Sequence, residues 1–295
     1  MTGAEYQAAL EKLIPAVRAV DPSVKLVAVH SDATFDQPWI NSDFTPFISS
    51  ASVHIGYSNS DSGGSPASAA AATTQAKLPD TSVLPQLASA RALLDGGPGN
   101  GAHVRVSIDE WGLGPPWVVE NFNAAHALYG ASFMTMALTN AENFGVSYTN
   151  YFEPINEGAI EVLQFSALPT PLGVVLPLFG ALAGSTRLAV EQLAPGSDDD
   201  VAGIAGLVHA TDATSSILVC LTNRNATAGF TQALHIDGVS LAATASVRLL
   251  AATGFSTGSA FVDQTFAIAV SADGWAEVPL PAFSVAAVTV ECLSC

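Results

Sequence analysis

HVRVSIDEWG, residues 103–112, is the stretch on which the interpretation of the whole chain depends. Apolar and polar residues alternate over residues 104–108, which is the two-residue period of a pleated strand. Two carboxylates, Asp109 and Glu110, follow directly, with Trp111 behind them. A strand that brings carboxylates to its C-terminal end is typical of a barrel strand with a catalytic group. The simpler alternative is an acidic strand end solvated in a loop.

Strands and helices alternate through the first two thirds of the chain. This order predicts a parallel sheet built from crossover units. A Ser-, Gly- and Ala-rich segment, residues 58–78, predicts a long flexible loop. The predicted strands are residues 25–30, 52–57, 104–108 and 146–155, and the predicted helices are residues 4–20, 84–94, 121–140 and 173–182.

The pattern changes near residue 187. Short apolar runs such as residues 201–208, 216–222 and 284–290 follow one another without helical spacers, and turn residues separate them. Such a series predicts an antiparallel β-sandwich. We therefore predict an α/β domain over residues 1–186 and an all-β domain over residues 187–295.

The composition is poor in charge and strongly acidic. The chain has 26 acidic and 9 basic residues, for a net charge of −17. Nucleic acids and anionic membranes both need a basic surface, so neither is an expected partner. This charge is compatible with a neutral ligand such as a sugar. It is equally compatible with a charge that only keeps the protein soluble.

Three cysteines are too few for a disulfide scaffold. Cys292 and Cys295 form a C-x-x-C pair at the C-terminus. A zinc site needs further ligands, and no His or Cys stands near this pair in the sequence. A disulfide at the tail, or two idle thiols, is therefore the preferred interpretation, and we expect neither a metal nor a cofactor.

The chain resembles the α-L-arabinofuranosidases of glycoside hydrolase family 51, or a sister family of the same barrel clan, over most of its length. IDEW at residues 108–111 is similar to the seventh barrel strand of that family, and VHIGY at residues 53–57 is similar to the sixth. The other matching segments, in the family's order, are residues 6–26, 127–132, 168–171, 218–224 and 278–285. The resemblance implies the C-terminal half of a (β/α)8 barrel, strands five to eight, followed by a β-sandwich.

By this resemblance, Glu110 is the nucleophile of a retaining glycosidase. Such an enzyme needs two carboxylates about 5–5.5 Å apart, one to attack the anomeric carbon and one to protonate the leaving oxygen. A strand end suits the nucleophile because a rigid scaffold holds it near its attack geometry. Asp109 precedes it and is expected to point away, in a structural role.

Four other residues are candidates for substrate binding. His54 and Tyr57 end a neighbouring strand, where they would hydrogen-bond the nucleophile or the sugar, or simply belong to the core. Trp111 either walls the sugar site or packs in the core. Asn150 falls on the last barrel strand and is expected to line the site. This chain departs from the family at Ser147, where the family has Gln.

The acid/base residue does not match within this chain. In the family it belongs to an Asn-Glu pair at the end of the fourth strand, which would precede residue 1 here. Glu5 does not match that pair. Asn156-Glu157 resembles it but follows the nucleophile, so Glu157 is either the acid/base or a loop residue. We therefore expect a truncated chain, a half that needs an N-terminal half or a second copy to cover the open barrel, or a remnant with another role.

The resemblance thus implies a retaining glycosidase of the arabinofuranosidase type, acting on sugars from plant or algal polysaccharides and nearly inactive as this chain alone. The first alternative is a non-catalytic carbohydrate-binding or interaction module. The second is an unrelated α/β protein with a β-domain. No signal peptide is visible, so an extracellular location would depend on one in a longer form.

Overall fold

A computed structural model describes residues 1–56, 66–96, 101–112, 123–151, 169–182, 184–190, 200–209, 215–256 and 258–294. The chain divides into two compact units. Unit 1 comprises Met1–Tyr57, Thr81–Gly112 and Thr139–Phe152, and unit 2 comprises Ser58–Asp80, Leu113–Leu138 and Glu153–Cys295. The predicted domains, residues 1–186 and 187–295, stay a prediction.

Helices and strands alternate up to α6, except that α3 and α4 follow one another without a strand between them. Every helix or strand after α6 in the described part of the chain is a strand. The helices are α1 (Gly3–Val20), α2 (Ala33–Ile40), α3 (Ala69–Leu78), α4 (Leu84–Asp95), α5 (Ala124–Thr139) and α6 (Pro171–Gly180). The strands are β1 (Leu26–Val29), β2 (Ile48–His54), β3 (Arg105–Trp111), β4 (Val146–Tyr151), β5 (Thr186–Leu188), β6 (Val201–His209), β7 (Ser215–Asn223), β8 (Phe230–His235), β9 (Leu241–Ala252), β10 (Phe261–Ala269), β11 (Trp275–Leu280) and β12 (Ser284–Cys292). Within the described ranges, no helix is long and apolar enough to cross a membrane.

The predicted loop over residues 58–78 is wrong in its second half, where α3 forms. Ser68 caps this helix by accepting a hydrogen bond from the amide of Ala71. Alanine has the highest helix propensity, and the alanine-rich sequence that suggested low complexity is therefore a good helix former. Residues 58–65, the first part of the predicted loop, lie outside the described residues.

Unit 1 is built on a four-stranded parallel sheet in the order β1-β2-β3-β4. The fold class predicted for this part of the chain, an α/β arrangement with crossover helices, is confirmed. Alternate residues of the strands face opposite sides, and one row on the buried side consists of Ala28, Ala51 and Val106, all at most 1% exposed. The row on the other side includes Val29 and Tyr148, both of which are exposed.

The outer edge of β1 is closed at one point by a side chain of α1. The amide of Val29 donates a 2.8 Å hydrogen bond to the hydroxyl of Tyr6. The next amide, that of His30, points inward and donates to the carbonyl of Ser52 on β2. Tyr6 therefore satisfies an edge amide that the neighbouring strand does not reach, which is one way to protect a sheet edge. The ring of Tyr6 also stacks on Phe35 of α2.

Replacing Tyr6 with phenylalanine is expected to lower the free energy of unfolding by about 0.5–1 kcal/mol, because the ring contact stays and the hydrogen bond is lost. Burial raises the pKa of Tyr6 and Asp36 adds to the rise, while the bond from Val29 opposes it. The stability from Tyr6 is therefore complete below its unfolded pKa of about 10 and is lost as the pH rises through the folded pKa. Urea unfolding at pH 7 and above pH 10 measures both effects. Tyr148→Phe, at an exposed tyrosine of the same unit, is the control and should match the wild type.

Unit 2 contains an antiparallel six-stranded sheet in the order β10-β9-β12-β7-β6-β5 and a two-stranded sheet, β11-β8. The inward residues of both sheets share one apolar core, which includes Val219, Val247, Val278 and Val288. The predicted β-sandwich is therefore confirmed. Strand β11 has no continuous apolar run, because alternate residues such as Glu277 face outward and leave only three buried positions in it.

Two of the three cysteines lie in unit 2 within the described residues. Cys292 is disulfide-bonded, in keeping with the predicted tail disulfide. Cys220 is free and buried, and its burial raises the pKa of the thiol to about 12. A thiol with so high a pKa is almost entirely protonated at neutral pH, so Cys220 acts as a small apolar side chain.

Candidate functional site

The carboxyl ends of the four parallel strands bring polar side chains to one edge of unit 1. His30 follows β1, His54 ends β2, Glu110 lies near the end of β3, and Asn150 lies near the end of β4. Ligands of parallel α/β folds bind at this edge, because each strand there passes into a loop that is free to vary. The edge is therefore the candidate site of unit 1.

Glu110 reaches its position through an irregularity in the sheet. Val53 pairs with Ile108, yet the next residue of β2, His54, pairs with Glu110 rather than with Asp109. One extra residue on β3 is the signature of a β-bulge, which re-aims the side chains that follow it. The amide of Ile55 donates to the carbonyl of Glu110 at 3.1 Å and holds the strand end in this register.

The shift places the carboxylate of Glu110 against the imidazole of His54. Nδ1 of His54 lies 2.6 Å from Oε2 of Glu110, and the two side chains are 58% and 23% exposed. The carboxylate is therefore held in one orientation and remains open to solvent. A carboxylate in this setting can act as a nucleophile or as a general base.

Asp109 and Trp111 stand on either side of Glu110 in β3. Asp109 accepts a hydrogen bond from the hydroxyl of Ser107, two residues earlier on the same strand. Trp111 is 1% exposed and packs edge-to-face on Tyr151 of β4, with ring centroids 4.9 Å apart. The ring of Trp111 is enclosed in this structure, as a core residue would be. The substrate-binding role predicted for Trp111 stays a prediction.

Asn150 lies opposite the bulge. The register between β3 and β4 steps from Ile108–Thr149 to Trp111–Tyr151, so Asn150 is the residue of β4 that faces the step. Its side chain is exposed. The sheet therefore brings Asn150 to the same edge as Glu110 and His54. The roles predicted for all three stay predictions.

Two predicted site residues lie outside the described residues. These are Tyr57, the candidate sugar or nucleophile contact, and Glu157, the candidate acid/base. Among the residues that the structure describes, no group of three His, Cys, Asp or Glu side chains is arranged to hold a metal ion.

The structure adds a pair that the sequence analysis missed, His30 and Asp36. The two side chains contact each other through Nδ1 of His30 and Oδ2 of Asp36, and the carboxyl group is fully buried. The signal was present in part, because His30 follows an apolar strand just as His54 does. Its partner stands on α2, a helix that is not among the helices predicted from the sequence. Asp32 caps this helix by accepting hydrogen bonds from Thr34 and Phe35.

No protein family and no curated protein matches the sequence of this chain. Solved structures do share its fold. The α-L-arabinofuranosidase of Thermotoga maritima, solved as an arabinose complex, has a TM-score of 0.72 at 15% identity over 99% of this chain and 62% of its own. The family 51 arabinofuranosidase of Xanthomonas axonopodis pv. citri has a TM-score of 0.75 at 17% identity over 98% of this chain and 63% of its own.

A family 44 endoglucanase of Clostridium acetobutylium is also similar, with a TM-score of 0.71 at 10% identity over 98% of this chain and 61% of its own. At these identities the similarity shows a common fold. The predicted fold class, a partial barrel with a β-sandwich, is thereby confirmed. The chain spans about three fifths of the length of each of these three structures.

Proposed function

We propose that this chain carries the nucleophile of a retaining glycoside hydrolase, that Glu110 is this nucleophile, and that the substrate is an α-L-arabinofuranoside. The observation that carries the proposal is the contact of Glu110 with His54 at the carboxyl edge of a parallel sheet. Two of the proteins that share the fold are arabinofuranosidases, which supports the choice of substrate. The net charge of −17 is compatible with a neutral sugar.

In the proposed first step, a carboxylate oxygen of Glu110 attacks the anomeric carbon. A bond forms between them, and the bond from the anomeric carbon to the leaving oxygen breaks. His54 holds the carboxylate towards the ligand. In the second step, water attacks the same carbon, loses a proton to a base and releases Glu110 as a carboxylate.

We further propose that the chain alone turns over ordinary substrates slowly. An ordinary leaving alkoxide needs a proton from a general acid, and no residue in the described ranges matches the acid/base glutamate of the family. An additional polypeptide segment or a second copy of the chain would supply that group. Glu157 is the candidate within this chain.

A trapping experiment tests Glu110 without the need for a general acid. In 2,4-dinitrophenyl 2-deoxy-2-fluoro-α-L-arabinofuranoside, the leaving phenolate departs without a proton, and the fluorine slows hydrolysis of the glycosyl-enzyme. We expect mass spectrometry of the digested protein to find the sugar on the peptide with Glu110. Sugar on another carboxylate would assign the nucleophile elsewhere, and an unlabelled protein would contradict the proposed function.

One observation favours the alternative of a carbohydrate-binding module. In the β-sandwich, Trp275 is 45% exposed and stacks on His235, with ring centroids 4.4 Å apart. Exposed, rigid aromatic rings provide contact area at low entropic cost. The net charge is compatible with both functions. One variant in each candidate site is therefore needed to distinguish the hydrolase from the binding module.

If the sandwich binds the sugar, Trp275→Ala is expected to weaken binding of an arabino-oligosaccharide by about tenfold, because the loss of one stacked aromatic ring removes about 1–1.5 kcal/mol. Glu110→Ala should then leave the affinity unchanged. Isothermal titration calorimetry on the full chain measures both. The opposite pattern, binding that depends on Glu110 and not on Trp275, would exclude the module and support the hydrolase.

A further inference from the structure

The buried carboxylate of Asp36 contacts two hydrogen-bond donors and the ring of one histidine in the β1–α2 region. Its Oδ1 accepts the amide of Ser31 at 3.1 Å and the indole N–H of Trp39 at 3.3 Å, and its Oδ2 faces Nδ1 of His30. A carboxylate without solvent needs such partners, because burial of an unpaired charge is costly. The two neutral donors therefore fix the position of the Asp36 carboxylate, and His30 is its third neighbour.

His30 is held by one ring nitrogen and presents the other. The contact of Nδ1 with the carboxylate of Asp36 orients the ring, as in other carboxylate–imidazole pairs. The side chain keeps 14% of its surface exposed. Within the described residues, no hydrogen bond engages Nε2, so this nitrogen is the ring atom available to a ligand.

The sheet places this pair next to the candidate site. The amide of His30 donates to the carbonyl of Ser52, which lies two residues before His54 on β2. Neighbouring strands are about 4.8 Å apart, so β1 and β3, which flank β2, lie about 10 Å apart. His30 is thus one strand from His54 and two strands from Glu110, at a distance that two linked sugar residues can span.

We propose that His30, oriented by Asp36, is a binding residue for the sugar next to the one that Glu110 attacks. Nε2 of His30 accepts or donates a hydrogen bond to a hydroxyl group of that second sugar. The proposal rests on the proposed function, since it places a carbohydrate on Glu110. It assigns specificity for chain length to β1, while the attacked sugar is held by β2, β3 and β4.

Binding of α-1,5-linked L-arabinobiose and of L-arabinose to the full chain tests the assignment. His30→Gln is expected to weaken arabinobiose binding by about 3- to 10-fold, which is the effect of one hydrogen bond, and to leave arabinose binding within about twofold. His103→Gln is the control, because His103 is an exposed histidine that lies just before the amino end of β3, away from the candidate site. Its Nε2 contacts the carbonyl of Thr45. It should bind both sugars like the wild type.

A measurement on the wild type protects the test against a variant that does not fold. Nitrogen-15 spectra of the histidine rings should show Nε2 of His30 shifting on addition of arabinobiose and not of arabinose. Asp36→Asn keeps the volume but removes the acceptor of the Nδ1 proton, so it should change the tautomer of His30 and weaken arabinobiose binding as well. A merely structural pair would not respond to the disaccharide.

The outcomes separate the two proposals. If Glu110 is labelled by the fluorosugar but His30→Gln binds arabinobiose like the wild type and the Nε2 signal does not move, the role of His30 is wrong and the proposed function stands. If neither sugar binds and Glu110 is not labelled, both are wrong. A loss of arabinobiose binding together with an unaltered rate of Glu110 labelling supports both.

Discussion

Glu110→Gln is expected to slow trapping by the activated fluorosugar on the order of 10⁴-fold or more, because the amide cannot attack the anomeric carbon. The substitution keeps the size of the side chain and its place beside His54, at the end of β3. The fold should therefore be preserved, and the loss should appear in the rate of covalent labelling. Stopped assays with mass spectrometry of the intact protein measure this rate.

Glu142→Gln is the matched control. Glu142 is an exposed carboxylate in the turn before β4, at the amino edge of the sheet, so it should be labelled neither before nor after substitution. Its variant is expected to trap the sugar at the wild-type rate. Equal rates for wild type and Glu110→Gln would remove Glu110 as the nucleophile, whereas slow trapping in both variants would indicate a general loss of structure.

Trp111→Ala is expected to lower the free energy of unfolding by about 3–5 kcal/mol, as large-to-small changes of buried aromatic residues do. Trp111 is almost fully enclosed, and its ring packs edge-to-face on Tyr151. The change would leave a cavity beside the end of β3 and so disturb the position of Glu110 too. Urea unfolding followed by circular dichroism measures the loss.

Two further variants decide whether Trp111 belongs to the core or to the sugar site. Trp111→Phe keeps an aromatic ring against Tyr151 and is expected to cost about 1–2 kcal/mol. Trp275→Ala, at an exposed tryptophan, should cost less than about 1 kcal/mol. A Trp111→Ala protein with wild-type stability and weakened sugar binding would show instead that Trp111 walls the sugar site.

The fold class followed from local patterns along the chain. The period of two at residues 104–108 and the alternation of strands with helices predicted the parallel sheet, and the runs after residue 187 predicted the sandwich. Both predictions are confirmed by the observed sheets and by the solved structures that share the fold. The error at α3 arose because an alanine-rich sequence is compatible with a helix as well as with low complexity.

The candidate site was only partly predictable. The sequence shows that His54, Glu110 and Asn150 each lie near a strand end, and parallel strands bring such ends to one edge. It does not show that β3 carries an extra residue, and without this bulge His54 would face Asp109. It also gives no sign that a histidine after β1 meets an aspartate six residues later.

The sequence by itself determined most of the strands and helices and the change to antiparallel sheet, because each depends on residue order and local periodicity. The choice of Glu110 over Asp109 as the candidate nucleophile came from the resemblance to the arabinofuranosidases. Only the tertiary structure decided which side chains meet: Glu110 with His54, His30 with Asp36, and Tyr6 with the edge of β1. These contacts depend on the register between strands and on how helices pack beside them, and residues far apart in the chain set both.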